Sequence, residues 1–106
     1  MNNKTYRRAV IRANQSEDIA WETCSEPLNL KVDQGAVGGY VEHVPYVLNQ
    51  EYHTRASMLV NENGIMESLP VNLIAISMTG IHILGDVVVY DRKLEEIEAM
   101  FETSER

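Results

Sequence analysis

Alternating apolar and polar residues predict strands over much of this chain. A first strand is predicted over residues 5–13, with an apolar centre at 9–11, and a short second strand over 19–23. Residues 40–48 are rich in β-branched and aromatic side chains, which favours a third strand. Because Pro45 lacks a backbone N–H, we expect this strand to lie at an edge of the sheet or to contain a bulge.

A turn signal separates two apolar runs in the middle of the chain. Asn63 and Gly64 stand between residues 56–60 and residues 65–69. An Asn-Gly dipeptide suits a two-residue hairpin turn because both of its positions adopt positive φ. We therefore predict a β-hairpin whose strands are these two runs.

A short helix and a further strand are predicted after the hairpin. The helix covers residues 70–78 and has Pro70 in its first turn, where a missing N–H removes no helical hydrogen bond. Residues 81–90 are strongly β-forming, with Gly85 and Asp86 as a local turn or bulge.

Residues 25–36 carry two conflicting signals. Ser25 followed by Pro27 is typical of a helix start, with serine as the cap and proline just inside. Apolar and polar residues alternate over 28–32, however, as they do in a strand. Both interpretations stay open for this segment.

The last predicted element is an amphipathic helix. Asp91 suits its N-cap, and Leu94, Ile97 and Phe101 share one helical face, opposite a row of glutamates. The helix either covers the sheet of its own chain or packs against a second copy, which would make a homodimer. Together the elements predict a single α+β domain over residues 1–106, with an antiparallel or mixed sheet, short helices and this C-terminal helix.

The chain is acidic, and its charge is unevenly distributed. Nine Lys and Arg residues stand against 16 Asp and Glu, for a formal charge of -7. Residues 1–12 carry four bases and no acid, so the acids lie in the rest of the chain. Because an acidic domain repels phosphate backbones, we expect no general nucleic-acid binding. An acidic mimic of nucleic acid is an alternative, which requires carboxylates at phosphate-like spacing.

Composition also limits the compartment. Cys24 is the single cysteine, which excludes an internal disulfide and an all-cysteine metal site. No apolar stretch approaches the roughly 20 residues that cross a bilayer. Residues 1–12 are too charged for the apolar centre of a signal peptide. We therefore expect a soluble cytoplasmic protein without membrane contact.

No pattern of catalytic, metal-binding or cofactor-binding residues occurs. His43, His53 and His82 lack the spacing of a local metal site, and nothing beside Cys24 signals an activating base. Nucleophile-elbow and phosphate-loop motifs are absent. Glycines at positions 35, 38 and 39 predict a tight turn, or alternatively a nest of N–H groups for an anion. We expect no catalytic residue, no metal and no cofactor.

Four short motifs carry a family resemblance. They are V-G-G-Y-V-E at 37–42, N-E-N-G at 61–64, L-P-V-N at 69–72 and I-L-G-D-V-V-V at 83–89. In this order they resemble a family of small domains of unknown function from phages, plasmids and other bacterial mobile elements. The family pattern reads V-G-G-Y-I-E, N-E-x-G, L-P-x-N and I-x-G-D ahead of an apolar strand. The resemblance implies an accessory role in a mobile element, within the cytoplasm of the bacterial host; it implies no catalytic residue.

The motif positions supply the candidate ligand-binding residues. Several are polar residues inside apolar segments, where a purely structural domain gains little from them. If the strand that carries Glu42 approaches residues 69–72, the two would line one polar pocket. The structural alternative assigns the glycines to turns and the asparagines to the hairpin and the short helix. The candidates are Gly38, Gly39, Tyr40, Glu42, Asn61, Glu62, Asn72 and Asp86.

The leading functional hypothesis is a non-enzymatic accessory protein of a phage or mobile element. It binds a host protein, for example a component of a defence system, and forms a homodimer. One alternative is a small-molecule binder that holds a nucleotide-like ligand in the glycine turn and the polar pocket. An enzyme using Glu42, His43 or Asp86 and the acidic nucleic-acid mimic are the less favoured alternatives.

Overall fold

The computed structural model describes residues 4–14, 19–49 and 54–102; of residues 45–49, 54 and 55 it describes the backbone. Five strands and three helices are found in this part of the chain. In chain order they are β1 (Tyr6–Ile11), β2 (Glu22–Cys24), α1 (Leu30–Val37), β3 (Val41–Asn49), β4 (Thr54–Asn61), α2 (Leu73–Thr79), β5 (Val87–Tyr90) and α3 (Leu94–Phe101).

The strands form one antiparallel sheet in the order β2-β1-β5-β4-β3. Strand β5 is central: Val88 pairs with Val10 on one side and with Leu59 on the other. All four residues of β5 are buried. A run of four apolar or aromatic residues suits this position because both faces of a central strand are covered. The predicted α+β class with a single sheet is confirmed.

Each face of the sheet carries its own hydrophobic core. Val87 and Val89 point to the face covered by α2, where Ala75 is fully buried. Val88 and Tyr90 alternate to the opposite face, which α1 and α3 cover. The fold is therefore a three-layer arrangement, with one helix on one face and two on the other.

The last helix packs on the sheet of its own chain. Ile97 is 0% exposed, and Leu94 and Phe101 pack against the same core. Asp91 is not its N-cap: that position belongs to Lys93, and Glu96 accepts the Lys93 backbone N–H in a capping box. The Asp91 carboxylate instead accepts the backbone N–H of Arg7, so it joins β1 to the end of β5.

The segment that the sequence left open, 25–36, contains helix α1. Asn29 caps it, since its side-chain oxygen accepts the N–H groups of Lys31 and Val32. The Ser25 cap is wrong. The cap lies four residues later because Asn29 is the residue whose side chain reaches the free N–H groups of the first turn.

The predicted hairpin at Asn63-Gly64 is wrong. Strand β4 ends at Asn61, its hairpin partner is β3, and residues 62–68 form successive turns. The Asn61 side chain accepts the backbone N–H of Asn63 at 2.7 Å, which bends the chain directly after the strand. A side-chain hydrogen bond within the turn therefore overrides the hairpin preference of the dipeptide.

The boundaries of the next two elements also differ from prediction. Helix α2 begins at Leu73 rather than at residue 70, because Asn72 is its N-cap and accepts the Ala75 N–H at 3.0 Å. Of the predicted strand 81–90, β5 contains only Val87–Tyr90. Residues 81–86 lie outside β5, and Gly85 among them has a φ of 85°, a conformation that favours glycine.

The side chain of Asn72 connects three parts of the fold. It is 0% exposed, and its Nδ2 donates to the carbonyls of Ile11 and Gly85 at 3.0 and 2.8 Å. With its cap on α2, it joins the end of β1, the approach to β5 and the start of α2. All these hydrogen bonds run to backbone groups, which is how a buried amide is satisfied in a core.

We predict that Asn72→Ala lowers the free energy of unfolding by about 2–4 kcal/mol, because it removes a helix cap and the donor to two buried carbonyls. Urea unfolding followed by circular dichroism measures the change. Asn14→Ala is the matched control: Asn14 is exposed, and its loss should alter stability by less than about 0.5 kcal/mol. Equal stabilities of the two variants would contradict the assigned role of Asn72.

Candidate functional site

Three of the eight candidate residues line one surface groove. Glu42, Asn61 and Glu62 border a concavity of about 460 Å³ at the end of the β3–β4 pair. Residues 63–66 form one wall and residues 81–84 the other. We call this concavity the β3–β4 groove.

The β3–β4 groove is apolar and open at its rim. Its floor includes Val44, Val60 and Ile83, which are 8%, 8% and 4% exposed. Ile65 and Met66 on its wall are 79% and 84% exposed. Large apolar side chains on a protein surface are normally scattered, so a cluster around a concavity is a candidate interaction site. The prediction placed Ile65 and Met66 in a hairpin strand and did not identify them as functional.

The rim of the groove is acidic. Glu42 and Glu62 are exposed, and within the described part of the chain neither forms a salt bridge. Two unpaired carboxylates beside an apolar floor favour a ligand that carries positive charge next to an apolar group. His82 is the third titratable group of the lining.

Asn61 shapes the groove rather than facing a ligand. Its Nδ2 donates to the Val37 carbonyl at the end of α1 at 3.1 Å, and its Oδ1 holds the turn at Asn63. Gly39 packs directly on this side chain, since a Cβ at Gly39 would lie 3.1 Å from Asn61 Nδ2. The glycine is therefore required by a close approach.

Gly38 and Tyr40 flank that contact. Gly38 ends α1 in the left-handed conformation, with a φ of 81°. Tyr40 is 68% exposed, and its carbonyl accepts the Glu62 N–H at 3.0 Å. The V-G-G-Y segment thus reverses the chain from α1 into β3, and these positions do not form a nest around an anion in this geometry.

Asn72 and Asp86 do not reach the β3–β4 groove. Asn72 is buried between the end of β1 and the start of α2, as described above. The Asp86 carboxylate accepts the Ala13 backbone N–H at 2.8 Å and pairs with Arg12 at 3.0 Å. The polar pocket expected between Glu42 and residues 69–72 is not formed, because the polar atoms of Asn72 face the backbone.

A second concavity of about 520 Å³ lies on the side of α1. Gly38 and Asp86 line it together with Arg12, Gly35 and Gly85. The candidate residues are therefore divided between two separate surfaces. Glu42, His43 and Asp86 are not brought together: the first two alternate on β3, and the third lines this second concavity.

The edge of the sheet beside the groove is open in the described residues. Strand β3 is the last in the sheet order, and its register with β4 shifts between Val44 and Val47. The prediction from Pro45 of an edge or a bulge is confirmed, and both features occur. The other edge strand, β2, has only three residues.

A buried charged cluster, absent from the predictions, lies between β1 and α1. The Arg8 guanidinium donates to Asp33 at 2.9 and 3.1 Å and to Glu22 at 2.8 Å. The Tyr90 hydroxyl donates to the second Asp33 oxygen at 2.5 Å. Asp33 is 2% exposed, so this cluster anchors α1 to the sheet. Arg8 and Asp33 lie 25 residues apart, and no local pattern links them.

Beside this cluster, the pKa values of Tyr6 and Cys24 are raised, which favours the neutral forms of both side chains. Burial, with Cys24 and Asp33 nearby, raises the pKa of Tyr6 to about 12. Since the unfolded value is about 10, the resulting stabilisation is present below about pH 10 and is lost as the pH rises toward 12. Burial and then Glu22 raise the pKa of the Cys24 thiol, so Cys24 is not an activated nucleophile.

Neither a metal-ligand cluster nor a membrane-spanning helix is found in the described residues. In residues 4–14, 19–49 and 54–102, no group of three His, Cys, Asp or Glu side chains is placed to hold a metal ion. None of the helices found there is long and apolar enough to cross a bilayer. His53 lies outside the described residues.

Fold and surface together define a small α+β domain with an apolar, acid-rimmed groove beside an open strand edge. No protein-family model matches the chain, and no curated protein or solved structure matches it either.

We predict that Asp33→Ala lowers the free energy of unfolding by about 3–5 kcal/mol, because it leaves the Tyr90 hydroxyl without its acceptor and the largely buried Arg8 guanidinium with only the exposed Glu22 as a partner. The double variant Arg8→Met/Asp33→Leu should recover most of this loss, since it removes both charges. Chemical denaturation of the three proteins measures the effect. A single variant that is as stable as the parent would show that the cluster does not anchor α1.

Proposed function

We propose that this protein is a non-enzymatic binding protein that engages a host protein through the β3–β4 groove. The observation that supports the proposal most strongly is the exposed apolar cluster of Ile65, Met66 and Ile81 around a concavity with an acidic rim. Apolar anchors surrounded by a polar rim are the usual anatomy of a protein–protein contact.

The groove suits a protein segment better than a free metabolite. Its floor is made of aliphatic side chains, and its polar groups, Glu42 and Glu62, sit at the rim. In small-molecule sites, a few polar groups usually point at the bound ligand from inside the pocket. The carboxylates are also the wrong charge for a nucleotide phosphate, which argues against the nucleotide-like ligand at this site.

The biological setting of the proposal rests on the resemblance to mobile-element domains. It assigns the chain an accessory role in a phage or plasmid, with a protein of the bacterial cytoplasm as partner and a defence component as an example. The positions that carry the resemblance have structural roles in this fold, because turns and helix caps are formed by Gly38, Gly39, Asn61 and Asn72. The resemblance therefore supports a shared fold as much as a shared ligand.

The second concavity supports the rival function of small-molecule binding. Its volume of about 520 Å³ lies in the range of ligand pockets, and Arg12 lies on its lining. Arg12, however, is paired with Asp86 at 3.0 Å, so an anion would compete with a carboxylate for the guanidinium.

We predict that Ile65→Ser/Met66→Ser abolishes capture of the host partner from a bacterial lysate while leaving the fold intact. Both side chains are largely exposed, so their loss costs little stability. Affinity purification followed by mass spectrometry of proteins and small molecules measures the loss. Leu30→Ser is the matched control, because Leu30 is an equally apolar, 55% exposed residue on α1, away from the groove.

The proposal requires one protein that is recovered stoichiometrically with the parent and with Leu30→Ser, and is lost with the double variant. Recovery of a retained small molecule and no protein would support the rival function. A partner captured equally by all three proteins would show that the groove is not the contact.

A further inference from the structure

We propose that the partner binds as an extended segment that adds a strand to the open edge of β3 and places alternate side chains into the β3–β4 groove. The segment carries an aliphatic and a basic residue two positions apart, so that both side chains face the groove. This inference rests on the proposed function and specifies the chemistry and backbone geometry of its partner. In this arrangement, backbone hydrogen bonds to the edge of β3 provide affinity, and contacts of the side chains with the groove provide specificity, as in other cases of strand addition.

Among the residues that the structure describes, none pairs with the backbone groups on the outer side of β3. The Glu62 N–H donates to the Tyr40 carbonyl, so the backbone groups of Tyr40 face β4. With an alternation of two, Glu42 and Val44 also face β4, whereas the N–H and C=O groups of Val41 and His43 face outward. These outward groups are a template for another strand.

The register shift explains why a proline is tolerated in β3. Pro45 lies between Val44 and Val47, where the regular pairing with β4 is interrupted, so its missing N–H breaks no regular pair of the ladder. Pro45 therefore limits the free edge to the residues before it. The open stretch is short and lies directly beside the groove, which suits recognition of one segment rather than indefinite strand stacking.

The groove lies on the face that a paired segment would reach. Glu42 and Val44 alternate to the α2 face of β3 and line the groove with Val60. Every second residue of an added strand points to that same face. An aliphatic residue of the segment would meet the exposed Ile65 and Met66, and a basic residue two positions along the segment, on the same face, would meet Glu62.

Charge favours a different protein over a second copy of this chain. Two copies paired through β3 would bring Glu42 and Glu62 of each copy together, and each chain has a formal charge of -7. Like charges across an interface oppose association. A basic segment of another protein has the complementary charge.

The test uses the full chain as bait for a phage-displayed library of random twelve-residue peptides. We expect the enriched peptides to carry net positive charge and an aliphatic residue two positions from a basic one. One enriched peptide is then synthesised, with and without N-methylation of alternate backbone nitrogens, and its affinity is measured by fluorescence anisotropy against the parent, His43→Pro and His43→Ala.

His43→Pro removes one outward N–H and leaves the ladder with β4 intact, whereas His43→Ala keeps that N–H and removes only the side chain. Strand addition predicts that His43→Pro weakens binding about tenfold or more, since a partner carbonyl loses its donor. His43→Ala should stay within about twofold of the parent, a difference too small to reflect a lost hydrogen bond. N-methylation in the outward register should weaken binding to the parent by a similar factor, which keeps the test independent of how well His43→Pro folds.

The outcomes separate this inference from the proposed function. Binding that resists His43→Pro and N-methylation but is lost in Ile65→Ser/Met66→Ser would overturn strand addition and leave the groove as the binding site. Binding that is unchanged in all variants, enrichment of acidic peptides, or no enrichment would overturn both. A parent that is dimeric in solution and becomes monomeric with His43→Pro would assign the edge to a second copy and overturn the proposed partner.

Discussion

The rest of this fold depends on how the central strand enters the sheet, and the Asn72 amide fixes that entry. Strand β5 is four residues long and buried on both faces, so it cannot shift without exposing one core or the other. Asn72 holds the carbonyls of Ile11 and Gly85 on the two sides of this entry and starts α2 above it. Asp86 adds a second connection to the chain after β1 through the Ala13 N–H. These hydrogen bonds are directional, whereas hydrophobic packing is not, so they fix the position of β5 more narrowly than packing alone.

The groove is a consequence of the same arrangement. With β5 starting at Val87, residues 81–86 are left as an irregular segment, which pairs with the segment before α2 through an isolated bridge between Val71 and Leu84. Asn61 bends the chain after β4 in the same region. The two irregular segments form opposite walls of the groove, and no helix of the described residues covers Ile65, Met66 and Ile81 on them. The proposed binding surface thus lies where regular structure stops.

The sequence predicts elements well where a single local pattern decides them. The apolar face of α3, the strand over β3 and the meaning of Pro45 follow from spacing and backbone chemistry within a few residues. Three of the failures share one cause. At Asn63-Gly64, at Ser25 and at residue 70, an asparagine side chain nearby forms a hydrogen bond that relocates the turn or the cap.

Asparagine side chains also explain why the candidate residues do not form one site. Asn61 and Asn72 are polar residues inside apolar segments because their side chains form hydrogen bonds with backbone groups. Glu42 and Glu62 lie on the groove as exposed carboxylates. The Arg8–Asp33 contact, the exposed cluster at Ile65 and Met66, and the open edge of β3 depend on tertiary placement, which no spacing along the chain encodes.

The central claim, that a partner strand pairs with the outer edge of β3, is tested most directly by amide hydrogen exchange at single-residue resolution, with and without a bound basic peptide. In the free protein, the amides of Glu42 and Val44 should be protected by β4, while those of Val41 and His43 exchange rapidly. Binding should slow exchange at Val41 and His43 and leave the other two unchanged. Unchanged exchange at Val41 and His43 in the saturated complex, or full protection of both in the free protein, would contradict the account.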